Sequence, residues 1–107
     1  MAMKIVWLKK SESQVIRTAN YILIKFGETS KQKFVEKVYR IVELLRDNPE
    51  IGRIEPLLAD RVITYRSIIV NKINKIVYRI KDNETIEIAA FWNLRREPKF
   101  LANQVKN

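Results

Sequence analysis

Apolar side chains change their spacing along the chain, and each spacing predicts a different element. Residues 3–8 contain the run IVWL, which is too short for a helix and is typical of a strand. From Ser11 to Phe26 the apolar positions recur every three or four residues, as in an amphipathic helix. Ser11 and Gln14 have the spacing of a capping box, and Gly27 is placed to end the helix. The pattern therefore predicts a strand followed by a helix.

The same helical spacing returns immediately after Gly27. Thr29 and Gln32 have the spacing of a second capping box, and the apolar stripe continues to Leu45. The Asp-Asn-Pro sequence at 47–49 ends this helix, because the residue before a proline disfavours the helical region. Two helices joined by only about two or three residues must lie antiparallel, so we expect a helical hairpin.

The second half of the chain is rich in β-branched and aromatic residues. After a loop that contains Gly52 and Pro56, three such runs follow at 62–70, 73–80 and 84–92. The intervals between these runs are short enough for hairpins. Residues 97–101 then begin a short C-terminal helix, with a proline in its first turn. The order β-α-α-β-β-β predicts an α+β fold, in which a helical hairpin packs on a mostly antiparallel sheet in two layers.

Alternation in the last run assigns its side chains to the two faces of the sheet. One face is predicted to carry Ile86, Ile88, Ala90 and Trp92, and the other Thr85, Glu87, Ala89 and Phe91.

Composition limits the chemistry that the chain can perform. It has no cysteine and no histidine, which excludes disulfides, thiolate nucleophiles, imidazole bases and the usual zinc ligands. It has no glycine-rich phosphate loop and no acid spacing typical of a metal site, so we expect no cofactor and no metal. The apolar run before Lys9 is too short for a signal peptide or a membrane span, which favours a cytoplasmic protein. We expect one domain over residues 3–107.

Positive charge is the strongest global signal. The net charge is +9 at pH 7, and residues 61–107 hold 10 basic against 4 acidic residues, a net +6. Such a field attracts phosphates, nucleic acid or an acidic protein partner. The alternative is a basic surface that serves only solubility.

Two arginines stand where the last run ends. A guanidinium is a planar fork suited to phosphate, so Arg95 and Arg96 are candidates for anion binding. The alternative is that one of them pairs with an acid or caps the last helix. Other basic residues punctuate the β-rich runs and would suit a polyanion if they share an open face: Arg61, Arg66, Lys72, Lys75 and Arg79.

Two tyrosines in these runs have alternative interpretations. Tyr65 and Tyr78 would stack on bases if they face a single-stranded nucleic acid. A tyrosine in a strand is more often core, with its hydroxyl at the rim. If the chain is an enzyme, we expect metal-independent phosphoryl transfer, with Arg and Lys neutralising the charge on phosphate.

The chain resembles the RelE/ParE superfamily of toxins from bacterial type II toxin–antitoxin systems. The resemblance covers nearly the whole chain and is most specific at Tyr65-Arg66, at the run IVYRI over 76–80, and at RREP over 95–98. It implies a toxin that arrests growth and stabilises plasmids. It also implies a cognate antitoxin, whose disordered C-terminal segment wraps the toxin and links it indirectly to DNA.

The superfamily has two branches with different targets. The RelE branch cuts ribosome-bound mRNA. Carried over by position, the resemblance implies that its catalytic cations would be Arg66, Lys75 and Arg96. Further RNA or anion contacts would be Arg95, Arg79 and Lys72. Ile68 stands where that branch has a second lysine, and Ala102 stands about where it has a C-terminal tyrosine.

The ParE branch inhibits DNA gyrase without a catalytic set. The long hairpin over residues 11–47 and the missing acid–base residue resemble this branch more closely. We therefore expect a gyrase-directed toxin. The alternatives are a RelE-like mRNA endoribonuclease and a diverged, inactive member that only binds its antitoxin.

Overall fold

The computed structural model describes residues 2–106 and contains one five-stranded sheet with three helices. The elements are β1 (Lys4–Trp7), α1 (Lys9–Phe26), α2 (Glu28–Asp47), β2 (Arg53–Ile54), β3 (Arg66–Ile69), β4 (Asn74–Ile80), β5 (Thr85–Asn93) and α3 (Pro98–Gln104). The strand order is β1-β5-β4-β3-β2, with β1 parallel to β5 and every other pair antiparallel. The α+β prediction is confirmed. The loop before β3 also holds two elements that were not predicted, β2 and one turn of 3-10 helix at Pro56–Leu58.

The start of α1 differs from the predicted capping box. The helix begins at Lys9, directly after β1, so Ser11 lies inside its first turn rather than at its cap. The Ser11 hydroxyl is fully buried and lies 2.7 Å from the Leu8 carbonyl oxygen and 2.9 Å from the Ile88 carbonyl oxygen. Ser11 therefore ties the helix to β5 instead of capping it.

A single residue, Gly27, joins the two helices. Its φ of 95° is in the region that favours glycine, and it both ends α1 and precedes the first residue of α2. The second capping box is therefore also wrong, because α2 begins at Glu28 and Thr29 is already helical. The antiparallel hairpin and the end of α2 at Asp47 agree with the sequence.

The hairpin packs on one face of the sheet and forms the larger core. Phe34 of α2 meets Phe91 of β5 edge to face, with ring centroids 5.7 Å apart. The predicted helical stripe supplies most of the other contacts, and each large side chain buried in this way contributes about 1.5–3 kcal/mol. The buried residues of this hairpin core include Ala19, Val38, Val42, Leu45, Ile76, Tyr78, Ile86 and Ile88.

The opposite face of the sheet is covered by α3 and the 3-10 turn, so it is not an open face. Leu101 and Val105 from the C-terminal segment and Leu58 from the turn pack there against the sheet. The sheet side of this smaller core, the α3 core, consists of Tyr65, Val77, Ala89, Ala90 and Trp92.

A bulge in β5 corrects the predicted alternation. Val77 pairs with Ala90, but the next residue of β4, Tyr78, pairs with Ile88, which leaves Ala89 as an extra residue. Such an extra residue reverses the facing of everything beyond it. Ile86 and Ile88 therefore face the hairpin core as one pair, whereas Ala90 and Trp92 face the α3 core. Phe91 faces the hairpin core together with Ile86 and Ile88, although strict alternation had assigned Ala90 and Trp92 to that face.

Two glutamines complete the edge of β5. Strand β1 pairs with β5 only as far as Trp7 and Ile88, so the next part of β5 has no strand beside it. The Gln14 side-chain oxygen accepts from the Phe91 amide at 3.1 Å, and the Gln104 amide donates to the Ala89 carbonyl at 3.1 Å. The two side chains also bond to each other at 2.9 Å, and so connect α1 to α3 around the strand.

Candidate functional site

Lys75, the predicted central-strand cation, is buried in an ion pair. Its side chain is 8% exposed, and its ammonium contacts the Glu55 carboxylate, whose side chain is fully buried. The second Glu55 oxygen accepts from the Leu57 amide at 2.8 Å, which fixes the first residues of the 3-10 turn. The positive charge of Lys75 is therefore compensated by Glu55 inside the protein, and its predicted catalytic role stays a prediction.

The Glu55 carboxylate is held in its charged form. Burial by itself raises the pKa of Glu55, but the hydrogen bond from Lys75, the Leu57 amide and the charge of Lys75 together lower it below the ordinary 4.5. Sequence reasoning missed Glu55. The one available signal was its position directly before Pro56, where an acid can accept from the first amides of a helical turn.

Arg66 lies on the other face of the sheet from Lys75. It is opposite Tyr78, which belongs to the hairpin core, whereas Lys75 is opposite Trp92, which belongs to the α3 core. The Arg66 guanidinium donates to the Gly52 carbonyl at 2.9 Å and so holds the loop that follows α2. The three cations carried over from the RelE branch are therefore not brought together.

Arg79 also has an acidic partner. Its Nε lies 3.0 Å from the Glu87 carboxylate across the β4–β5 pair, and both side chains are mostly buried. Lys75 and Arg79 share a face as predicted, but Arg79 lies near the far end of β4 from the last-strand arginines. Its role as an anion contact stays a prediction. In the structure the charge of its guanidinium is compensated by Glu87.

Arg61 fastens the last helix. Its guanidinium donates to the Val105 carbonyl and, at 2.7 Å, to the Ala102 carbonyl at the C-terminal end of α3. A cation at this position also interacts favourably with the helix dipole.

Four exposed cations gather at one end of the sheet. The turn after β5 is closed by Asn93, whose side-chain oxygen accepts from the Arg95 amide at 2.8 Å and whose carbonyl accepts from the Arg96 amide at 3.0 Å. The Leu94 amide donates to the Ile73 carbonyl at 2.7 Å, which joins this turn to the β3–β4 turn. We call the resulting surface the cationic end; it consists of Lys72, Arg95, Arg96 and Lys99.

Aromatic rings hold part of the cationic end. The Arg96 guanidinium carbon lies 4.7 Å from the ring centre of Trp92 and 5.7 Å from that of Phe100. The Lys99 ammonium lies 5.7 Å from the same Phe100 ring. Cation–π contacts of this kind contribute about 0.5–1 kcal/mol at exposed sites. Within residues 2–106, no acidic side chain forms a salt bridge with any of the four cations.

The two candidate stacking tyrosines are core residues. Tyr65 is 2% exposed and Tyr78 is fully buried, so neither offers a ring face to a base. The Tyr78 hydroxyl donates to the Pro49 carbonyl at 2.7 Å and accepts from the Gly52 amide at 2.9 Å. Burial raises the pKa of Tyr78, so this hydroxyl is protonated near neutral pH and donates to the loop.

An apolar cleft lies between the two helices of the hairpin. Its volume is about 340 Å³, and Trp7, Val15 and Phe34 are among the residues that line it. Ile16 and Tyr39 stand at the cleft and remain 52% and 63% exposed. Apolar exposure of this kind between packed helices is typical of a surface that a partner covers.

The described residues also set limits on other kinds of site. Over residues 2–106, no group of three or more acidic side chains is placed to hold a metal ion. None of the described helices is long and apolar enough to cross a membrane.

The family model for the ParE toxin of the type II toxin–antitoxin system parDE matches residues 5–98. The chain belongs to the ParE toxin family. The predicted membership of the RelE/ParE superfamily is therefore confirmed. No curated protein sequence matches the chain.

Solved structures share the fold of this ParE-family toxin. A structure described as the chromosomal ParDE TA system from P. aeruginosa matches with a TM-score of 0.69 and 16% identity, over 88% of this chain and 98% of that one. The YoeB/ParE toxin from Agrobacterium tumefaciens matches with a TM-score of 0.59 and 21% identity, over 85% and 98%. The YoeB dimer from Staphylococcus aureus matches with a TM-score of 0.57 and 20% identity, over 85% and 95%.

Proposed function

We propose that this ParE-family toxin arrests growth by binding DNA gyrase rather than by cutting mRNA. The observation that carries the proposal is the buried Lys75–Glu55 pair, because it neutralises the cation that a nuclease would need at the centre of the sheet. Arg66 is on the opposite face and bonded to the backbone, so Arg96 is the one member of the nuclease set with an exposed guanidinium. A site with one exposed arginine would lack most of the cations that neutralise the charge developing on a phosphate during phosphoryl transfer.

The proposed partner that keeps this toxin inactive is a cognate antitoxin. The apolar cleft beside Ile16 and Tyr39 supports an apolar segment as the binding element, and the net charge of +9 favours an acidic one through fast association. The similar P. aeruginosa structure is described as a ParDE TA system, which supports a two-protein assembly. We place the toxin in the cytoplasm, with DNA association through the antitoxin and plasmid stabilisation as its biological consequence.

Induction of the toxin without its antitoxin tests this proposal. We expect growth arrest with intact mRNA, and loss of gyrase supercoiling activity when the purified toxin is added. New 5′ ends in codon register on a translated mRNA, absent in Arg96→Ala, would instead make the chain a ribosome-dependent nuclease. Normal growth with a soluble, folded chain would make it an inactive member that only binds its antitoxin.

A further inference from the structure

We infer that the cationic end is a contact surface for the phosphate backbone of duplex DNA. Its four members form no salt bridge within residues 2–106, whereas Lys75 and Arg79 have carboxylate partners. The one acid in the same turn is Glu97, which is exposed and forms no salt bridge within residues 2–106. Exposed cations without internal partners keep their full charge for an external anion.

The aromatic rings at this end favour duplex over single-stranded nucleic acid. Single-strand binders need free ring faces on which bases stack. Here Trp92 is 2% exposed and lies under Arg96, whereas Phe100 is 45% exposed with Arg96 and Lys99 each 5.7 Å from its ring centre. The Trp92 ring therefore positions a cation instead of a base, and one partly exposed ring is a poor platform for successive stacked bases. Cations on such a surface contact phosphates without reading sequence.

The backbone at this end argues against a peptide that binds by adding to the sheet or turn. A peptide that adds to a sheet or turn needs free amides and carbonyls. The amides of Leu94, Arg95 and Arg96 already donate to Ile73 and Asn93 within the fold. What the surface offers is side-chain charge, which is the requirement of a phosphate backbone.

This inference rests on the proposed function only in one respect: gyrase holds DNA, so a gyrase-bound toxin would meet that backbone. The DNA contact itself is measurable without gyrase. The purified full chain is titrated against a fluorescent duplex of about 20 base pairs at several salt concentrations between about 50 and 200 mM. The measured quantity is the slope of log K against log salt, which equals about −0.9 for each phosphate neutralised.

Four phosphate contacts predict a slope of about −3 to −4 for the unchanged chain. The variant Lys72→Gln/Lys99→Gln should make the slope shallower by about 2, because each lost contact removes about one unit. Arg95→Gln/Arg96→Gln should have an effect of the same size. All four side chains are exposed, so these variants should remain folded, with a melting temperature lowered only by the loss of the ring contacts of Arg96 and Lys99.

The matched control is Lys33→Gln/Lys37→Gln. These two lysines are exposed on α2. Their replacement also removes two positive charges, but at positions distant in sequence from the cationic end. We expect this variant to keep the parental slope.

The inference would be overturned if the lysine variant and its control changed the salt slope equally. Tighter binding to a single strand of the same length, or no measurable duplex binding at the lowest salt, would also overturn it. Displacement of the duplex by a polyglutamate peptide of equal charge, at equal or lower concentration, would likewise assign the surface to an acidic protein. Failure of the gyrase proposal is seen separately, as unchanged supercoiling. A toxin that inhibits gyrase but shows no change of slope in Lys72→Gln/Lys99→Gln loses only the DNA contact.

Discussion

The basic residues of the sheet fall into two groups with opposite surroundings. Lys75 and Arg79 are buried or mostly buried, and each faces a carboxylate. Arg95 and Lys72 are exposed, and within residues 2–106 neither forms a salt bridge. A positive charge in the sequence is thus a poor guide to a binding site until its partner is known, because a buried partner turns a cation into part of the fold.

The difference between the groups is also a difference in energy. Removing one member of a buried ion pair leaves an uncompensated charge in a place that water does not reach. Removing an exposed cation changes only the field outside the molecule. Substitutions of the buried cations should therefore lower the stability of the protein and leave the DNA binding of its folded fraction unchanged. Substitutions of the exposed cations should weaken DNA binding and leave stability nearly unchanged.

The largest expected effect is that of Lys75→Met. Leaving Glu55 buried without its partner should lower the free energy of unfolding by about 3–5 kcal/mol, as measured by urea unfolding at pH 7. Replacing both residues, in Lys75→Met/Glu55→Gln, should restore most of this loss because no charge remains to be compensated. A Lys75→Met protein as stable as the parent would show that the pair does not belong to the first group.

The same pair predicts a dependence on pH. The pKa of Glu55 in the folded protein lies below the ordinary 4.5, so the stabilisation is complete above that value and is lost as the pH falls through the folded pKa. Urea unfolding should therefore show stability decreasing below about pH 4.5 in the parent. The decrease should be smaller in Lys75→Met/Glu55→Gln, and an equal decrease in both would assign the acid sensitivity to other carboxylates.

Arg61→Gln should have the next largest effect. It removes the guanidinium that donates to two carbonyls at the end of α3, and hydrogen bonds from charged groups contribute about 1.5–3 kcal/mol. We expect a loss of about 1–3 kcal/mol, concentrated in faster amide exchange of α3. Exchange that accelerates uniformly over the whole chain would contradict a local anchoring role.

Arg79→Gln should cost less. The Arg79 and Glu87 side chains are 20% and 13% exposed, so solvent screens part of their attraction. A loss of about 0.5–1 kcal/mol is expected from thermal unfolding. A cost as large as that of Lys75→Met would mean that partial exposure does not weaken the pair.

Arg95→Gln should leave stability nearly unchanged. Its side chain is exposed, so the expected change is within about 0.5 kcal/mol in urea unfolding. If this substitution destabilised the protein by more than Arg79→Gln, the cationic end would be structural and the comparison would fail.

The sequence predicted those parts of the fold that repeat a local pattern. The apolar spacing of three and four gave both helices, and Gly27 and Pro49 marked their ends because backbone geometry constrains both residue types. The change from helical spacing to β-rich runs separated by short turns predicted the element order. The position of Arg96 directly after the last β-rich run made it a candidate, and the structure then described its exposure and its aromatic contacts.

The remainder depended on contacts between distant residues. Glu55 is one acid in an irregular loop, and only the folded sheet brings it to Lys75. The extra residue Ala89 could not be recognised in the sequence. Both faces of β5 are buried at this point, so the run is apolar throughout and shows no break in alternation. Arg66 and Lys75 could not be assigned to opposite faces until the strand register was known.

The pair of glutamines beside β5 has a consequence for the behaviour of the chain at high concentration. An unpaired strand edge can recruit a strand from another copy and so begin aggregation. Here the Phe91 amide and the Ala89 carbonyl are already occupied by Gln14 and Gln104. The two side chains therefore satisfy backbone groups that a neighbouring strand would otherwise pair with, which leaves fewer free groups on this stretch of edge for a strand from another copy.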